Sequence, residues 1–209
     1  MTLTNDNVQQ FIERVGSADA IPGGGSVSAL CGAMAAALAR MVARLTTGRK
    51  KYAEVEGEML DVVDTLGPQI EALVLDIDRD SAAYAAVMDA FKLPKETEEE
   101  KAARHEAIQA ATKSAAIVPL EVARRVNDCL PYIALVALKG NTNAITDACV
   151  AAMCARTAIK GALLNVRINL TSIEDEQFRS TVNAEVSELE TSANEMEARV
   201  LDYATTKYF

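Results

Sequence analysis

Asp76, Asp80 and Tyr84 recur at intervals of four residues, so a helix would carry all three on one face while Asp78 points elsewhere. Ala82, Ala83, Ala85 and Ala86 surround the tyrosine. A carboxylate in so apolar a frame loses water, its pKa rises, and it becomes able to take and return a proton near neutral pH. Ordinary exposed aspartates would show the same spacing, and the local sequence leaves both readings open.

A second feature is Ile21-Pro22-Gly23-Gly24-Gly25-Ser26, followed at once by an apolar helical pattern. Glycines suit a place where backbone passes close to a ligand or takes positive φ. Ser26 has the side chain of an N-cap. A glycine loop feeding a helix N-terminus gathers free N–H groups at the positive end of the dipole, where an anion is stabilised. The loop is neither a Walker A sequence nor G-x-G-x-x-G, and no strand precedes it, which argues against a nucleotide. A tight interhelical turn is the other reading.

Polar residues also flank an apolar helix, with Asn141, Asn143 and Asp147 at its start and Asn165 and Asn169 after it. Unpartnered amides are costly in apolar surroundings, so these either cap backbone or bind ligand. Arg49-Lys50-Lys51 is the one compact basic cluster, either a solvated turn or a clamp for carboxylates. His105, the single histidine, lies in a charged stretch that reads as exposed.

The elements that must position these groups read as helices throughout. Asn5 or Asp6 would cap a first helix with Val8, Phe11, Ile12 and Val15 on one face. A second is expected over residues 26–46, with a stripe of Val27, Leu30, Cys31, Met34, Leu38, Met41, Val42 and Leu45. Its other face is Ala29, Gly32, Ala33, Ala36 and Ala37, so it should be buried all round. A third runs over residues 52–91, kinked or interrupted at Gly67-Pro68. Thr97-x-x-Glu100 is a capping box that opens a fourth, kinked at Pro119 and ending near Cys129. A short helix from Leu130-Pro131 to Leu138, a buried one over residues 143–164, an extended connector over 165–170 and a last helix over 173–204 complete the chain. The fold class is all-α, a helical bundle with long kinked helices in one domain over residues 1–209.

Composition narrows the partners. Half of the 209 residues are hydrophobic, aromatics make up 4 %, Trp is absent and the formal charge is −9. That balance opposes non-specific nucleic-acid binding. Cys31, Cys129, Cys149 and Cys154 lie in apolar patterns without a C-x-x-C pair, so reduced thiols and no metal site are expected. The start of the chain lacks the basic and apolar regions of a signal peptide. The apolar run 29–39 is short for a bilayer, so no membrane span is expected. A cytoplasmic protein follows.

The residues then form a recognisable set. They are Pro22 to Ser26, Leu45-Thr46, Gly48 to Tyr52, Asp80-x-x-x-Tyr84 with Met88, Leu93-Pro94-Lys95, Glu98 to Arg104 and Val118-Pro119-Leu120. Gly140-Asn141-x-Asn143-x-Ile145-x-Asp147 and Leu164-Asn165-Val166-x-Ile168-Asn169 complete it. In this order they resemble the family of the cyclodeaminase domain of formiminotransferase-cyclodeaminase and the stand-alone methenyltetrahydrofolate cyclohydrolases.

The resemblance implies a cyclodeaminase-like helical fold, a homodimer and a tetrahydrofolate one-carbon derivative as substrate, with no cofactor. It implies hydrolysis of 5,10-methenyltetrahydrofolate to 10-formyltetrahydrofolate. The alternative is cyclodeamination of the formimino derivative with release of ammonia, and a non-catalytic folate-binding scaffold is a third reading. Without a formiminotransferase sequence in these residues, a stand-alone enzyme is the expectation. Asp80, at the family's aspartate before the aromatic, and Asp147 are the implied catalytic residues. Pro22, Gly23, Gly24, Gly25, Ser26, Lys50, Lys51, Tyr84, Asn141, Asn143, Asn165 and Asn169 are the implied folate contacts.

Overall fold

Local signals set where most helices begin. In the computed structural model, which describes residues 2–208, six α-helices follow one another and no strand occurs among the described residues. Met1 and Phe209, the ends of the expected domain, lie outside the described residues. The helices are α1 (Val8–Val15), α2 (Gly24–Thr46), α3 (Glu56–Phe91), α4 (Glu98–Lys139), α5 (Ile145–Leu170) and α6 (Glu176–Tyr208). Short 3-10 turns cover Leu3–Asn5, Lys50–Val55 and Thr142–Ala144. The all-α bundle expected from the sequence is the fold observed.

Thr97 caps α4 as expected: its side chain accepts from the Glu100 N–H, and the Glu100 carboxylate accepts from the Thr97 N–H. At α1 the cap is Asn7 rather than Asn5 or Asp6, in a reciprocal box with Gln10. At α2 the N-cap is Gly23, with no side-chain bond, and Ser26 lies inside the first turn.

Two expected breaks are absent, since α4 continues through Pro131 and α5 through residues 165–170, and neither Pro68 nor Pro119 ends its helix. In each case both halves of the helix pack into one core, which outweighs a lost backbone bond. Arg40 donates to the Val63 carbonyl, one turn before Pro68. In the last turns of α5, Val166 and Leu170 are buried, while Asn165 and Asn169 bond back to the carbonyls four residues earlier. Burial of the apolar pair decided for helix where propensity alone suggested an extended connector.

α2 lies antiparallel to both α3 and α5. Ser26 meets Ile77 while Arg40 meets Val63; Gly24 approaches Asn165 while Asn141 bonds Leu45. α5 in turn lies against α6 through the pairs Lys160–Glu190 and Arg156–Glu197. The result is a layer ordered α3, α2, α5, α6, with α4 behind it and touching all four. Small residues let these axes approach. A Cβ on Gly161 would strike the Ser28 hydroxyl, and one on Gly32 would strike Val126.

The small face of α2 (Ala29, Ala33, Ala36, Ala39) is the buried one. Its larger stripe is not enclosed: Met34, Met41 and Leu45 are exposed. The expectation that α2 is buried all round is therefore corrected. α2 and the Thr142–Leu170 segment are each long and apolar enough to cross a membrane, with about half of each buried in the bundle.

Candidate active site

α3 is 36 residues long and α2 only 23, so α3 outreaches it by about 20 Å at 1.5 Å per residue. At the head of α2, where that helix begins, a cavity of about 250 Å³ opens. Gly23, Gly24 and Gly25 form one wall. Asp80, Ala83, Tyr84 and Val87 of α3 form another, Asn165 and Asn169 of α5 a third, and Ala115 of α4 contributes from behind. Ala20 and Ile21 cover it, the latter entering a cis bond to Pro22. Larger, more open grooves occur elsewhere, one between α4 and α6 at about 790 Å³. Only the cavity at the head of α2 joins a half-buried, unpaired carboxylate to the glycine loop.

Asp80 is that carboxylate, and it occupies the anion position of the loop itself. It accepts from the Ser26 hydroxyl at 3.0 Å and from the Ser26 backbone N–H. The carboxylate thus serves α2 as an N-cap side chain would, from another helix. The Ser26 hydroxyl also lies 3.0 Å from the Ile77 carbonyl and 3.2 Å from the Ser81 hydroxyl.

Gly25 is required by close approach, since a Cβ there would overlap the Asp80 carboxylate. None of the three glycines has positive φ; among the described residues only Gly48 does. Burial pushes the Asp80 carboxyl above its ordinary value, and the two Ser26 donors offset only part of that rise.

The other carboxylates of the helix have structural work. Asp76 is buried and clasped by Arg79 at 2.6 Å and Arg125 at 3.2 Å. Asp78 accepts from the Leu3 N–H and the Thr4 hydroxyl, which holds the N-terminal turn. Tyr84 stands one turn beyond Asp80 at the mouth, half in solvent. The Asn165 amide donates to Gly161, and that of Asn169 to Ala115 and Asn165. Their Oδ1 atoms have no protein donor among the described residues and remain free to accept from a ligand.

The remaining expected contacts lie at the opposite end of the layer. Asn141 is buried, its side-chain amide donates to the Leu45 carbonyl and accepts from the Asn143 N–H, and its backbone N–H donates to the Thr46 hydroxyl, so it ties α2 to the turn before α5. Asn143 is exposed. Asp147 sits in the first turn of α5, about 27 Å along that helix from Asn165. Lys50 and Lys51 are exposed on the turn after α2, Lys51 lying 5.1 Å over the Tyr52 ring. One chain therefore brings Gly23, Gly24, Gly25, Asp80, Tyr84, Asn165 and Asn169 to one cavity, while Pro22 and Ser26, expected as folate contacts, are buried beside it and do not line it. The same chain does not bring Lys50, Lys51, Asn141, Asn143 or Asp147 there.

The sequence reading missed Val87 and Ala115. Val87 was legible, seven residues after Asp80 on the same helical face. Ala115 had no signal, because only packing of α4 brings it there. His105 is exposed beside Glu174, as expected. The four cysteines are free, and burial pushes the Cys129 thiol up to about 12. No cluster able to hold a metal ion occurs among the described residues.

Residues 7–188 match the formiminotransferase-cyclodeaminase family. The chain belongs to that family. A methenyltetrahydrofolate cyclohydrolase of Methylorubrum extorquens is 38 % identical over 97 % of this chain and 98 % of its own length. The formimidoyltransferase-cyclodeaminase of Sus scrofa is 36 % identical over 96 % of this chain, which spans only 37 % of that longer protein. The crystal structure of formiminotetrahydrofolate cyclodeaminase from Thermotoga maritima superposes with a TM-score of 0.87 at 32 % identity, covering 98 % of both chains.

Proposed function

We propose that this family member hydrolyses 5,10-methenyltetrahydrofolate to 10-formyltetrahydrofolate in one-carbon metabolism, in the cytoplasm, as a homodimer and without a cofactor. The observation that carries the reading is Asp80, a desolvated carboxylate in a cavity of mixed apolar and amide lining. The substrate's reacting carbon lies in an N5–C–N10 amidinium, a delocalised cation. Asp80 stabilises that cation, and the cation in turn lowers the carboxyl's pKa.

Asp80 then takes a proton from the attacking water as oxygen bonds to the central carbon. It returns the proton to N5 as the C–N5 bond breaks, leaving the formyl group on N10. The second water proton leaves to solvent. The free Oδ1 atoms of Asn165 and Asn169 suit the N–H donors of the pterin, and Tyr84 offers a ring to stack on.

Cyclodeamination uses the same carbon and the same proton carrier: N10 attacks a formimino carbon and ammonia leaves. The Thermotoga neighbour favours this second reading. Purified protein assayed in parallel with methenyltetrahydrofolate and 5-formiminotetrahydrofolate separates the two. Loss of the methenyl chromophore beyond the uncatalysed rate supports hydrolysis. Ammonia release supports the deaminase. Folate binding with neither turnover would identify a non-catalytic module.

A further inference from the structure

Hydrolysis of the methenyl cation releases a proton at every turnover. A cation and water go in; neutral 10-formyltetrahydrofolate and a proton come out. The first proton that Asp80 takes from water goes to N5. The second leaves the hydroxyl on the central carbon as the formyl C=O forms, and it must reach solvent. A folate seated with its amidinium at Asp80 fills the cavity at the head of α2 and stands between that carboxylate and the mouth.

Another way out starts behind Asp80. Its Oδ2 lies 3.0 Å from the Ser26 hydroxyl, and that hydroxyl lies 3.2 Å from the Ser81 hydroxyl. Ser26 is fully buried, whereas Ser81 is only partly so. Ser81 belongs to the wall of a second cavity, of about 340 Å³, with Leu3, Arg14, Ile21 and Asp78 also in its lining. Among the described residues Ile21 alone lines both cavities. On α3, Asp78, Ser81 and Ala85 mark the side of the second cavity, while Asp80, Tyr84 and Val87 mark the side of the first. The second cavity has room for water and offers it Asp78, Arg14 and Ser81 as polar partners. Asp78 is held there by the Leu3 N–H and the Thr4 hydroxyl, and Arg14 by Asp6 at 2.8 Å.

We propose that the Ser26 and Ser81 hydroxyls form a relay that carries the proton from Asp80 through the back of the site into the Asp78 cavity. This deepens the proposed function and rests on hydrolysis for the source of the proton. Ser26 and Ser81 are positioning residues here, since both act through Asp80.

A serine hydroxyl has one proton to give and two lone pairs to accept with, so each can hold both of its neighbours at once. With Asp80 charged, the Ser26 proton points to the carboxylate. With Asp80 protonated, the Ser26 proton turns to Ser81, and the Ile77 carbonyl, 3.0 Å from the Ser26 oxygen, offers a further acceptor to the turning hydroxyl. In the transfer the Asp80 O–H bond breaks as its proton bonds to the Ser26 oxygen. The Ser26 proton passes to the Ser81 oxygen, and the Ser81 proton passes to water in the second cavity. Asp80 is left a carboxylate, each serine again holds one proton, and one proton has reached solvent.

The test compares two variants of nearly the same shape. Ser81→Thr keeps the hydroxyl, and Ser81→Val puts a methyl in its place. Ser81 does not line the folate cavity, so KM should be alike in the two. In Ser81→Val kcat with methenyltetrahydrofolate should fall by about 10²-fold, the lower end of the range for a positioned proton-transfer group. In Ser81→Thr it should stay near wild type. The D₂O effect on kcat should be larger in Ser81→Val, because proton exit then limits turnover. Helicity and Tm are measured for both, and Ser81→Ala replaces Ser81→Val if the latter does not fold. Equal kcat with and without the hydroxyl overturns the relay, as does a loss that appears in KM alone.

A second arm needs no turnover. The buried Ser26 hydroxyl proton, followed by NMR, should exchange with water more slowly in Ser81→Val than in Ser81→Thr. Equal exchange rates overturn the relay. If wild type hydrolyses no methenyltetrahydrofolate while the exchange rates differ, the functional reading fails and the hydroxyl path from Asp80 to the second cavity stands.

Discussion

Asp80 combines two opposing influences, and its behaviour follows from their balance. Burial raises its pKa, and Ser26 pulls it back only in part. In the proposed mechanism the base form of Asp80 carries turnover, so kcat/KM should rise with pH through a value above the usual carboxylate range. The limb in kcat should fall at lower pH, because the bound cation favours the charged form. Coincident limbs would remove Asp80 from the role. Asp80→Asn should lower kcat by about 10²–10⁴-fold.

The same shift has a stability sign. A carboxyl whose folded pKa is raised contributes most below its unfolded pKa, and that contribution is lost as pH rises through the folded value. Asp80→Asn should therefore melt no lower than wild type at neutral pH, with any advantage shrinking in acid. Gly24→Val tests the cavity wall. A Cβ at Gly24 meets only the Asn165 amide at ordinary contact, so the larger side chain should weaken folate binding more than it lowers Tm. Equal losses would make this glycine a turn residue.

Helices here are stabilised at their ends by local chemistry and in their middles by packing. α4 has a complete capping box at an exposed N-terminus, about 20 residues before the deeply buried run that starts near Ala116. Thr97→Ala should lower stability by about 1 kcal/mol, read by denaturant unfolding, and leave kcat unchanged. A change in kcat would mean that the start of α4 communicates with the cavity. The prolines make the complementary point. Pro68, Pro119 and Pro131 each remove a backbone bond, yet none ends a helix, because Leu66, Leu120 and Ile133 beside them are fully buried.

Across the whole molecule, the distribution of charge matters more than its net value. A chain of charge −9 would disfavour an anionic folate tail. Arg44, Arg49, Lys50 and Lys51 form a local basic cluster where α2 ends, against that overall balance. One chain keeps Lys50 away from the cavity, so only in the proposed homodimer should Lys50→Ala raise KM more than it lowers kcat, as expected for binding made equally in ground and transition states. The KM difference should grow as ionic strength falls. An unchanged KM for a polyglutamylated substrate would return Lys50 to a solvated turn.

The helical class and part of the candidate cavity's lining were legible in the sequence, because period 3.6, the Thr97 box and the Gly23-Gly24-Gly25 loop are local patterns. Asp80 and Tyr84 were legible as partners on one face for the same reason. What the loop holds was not legible: its anion is Asp80, 55 residues beyond Gly25 and brought there only by antiparallel packing of α2 and α3. Nor did local sequence reveal which side of α2 faces inward. Small residues took most of the interior because helices at close spacing leave little room for more, while Val42 stayed buried and Met34, Met41 and Leu45 of the longer stripe were left outside. The expected folate contacts read as one set, and tertiary structure divided them between the two ends of α2, since a rigid helix of 23 residues separates them.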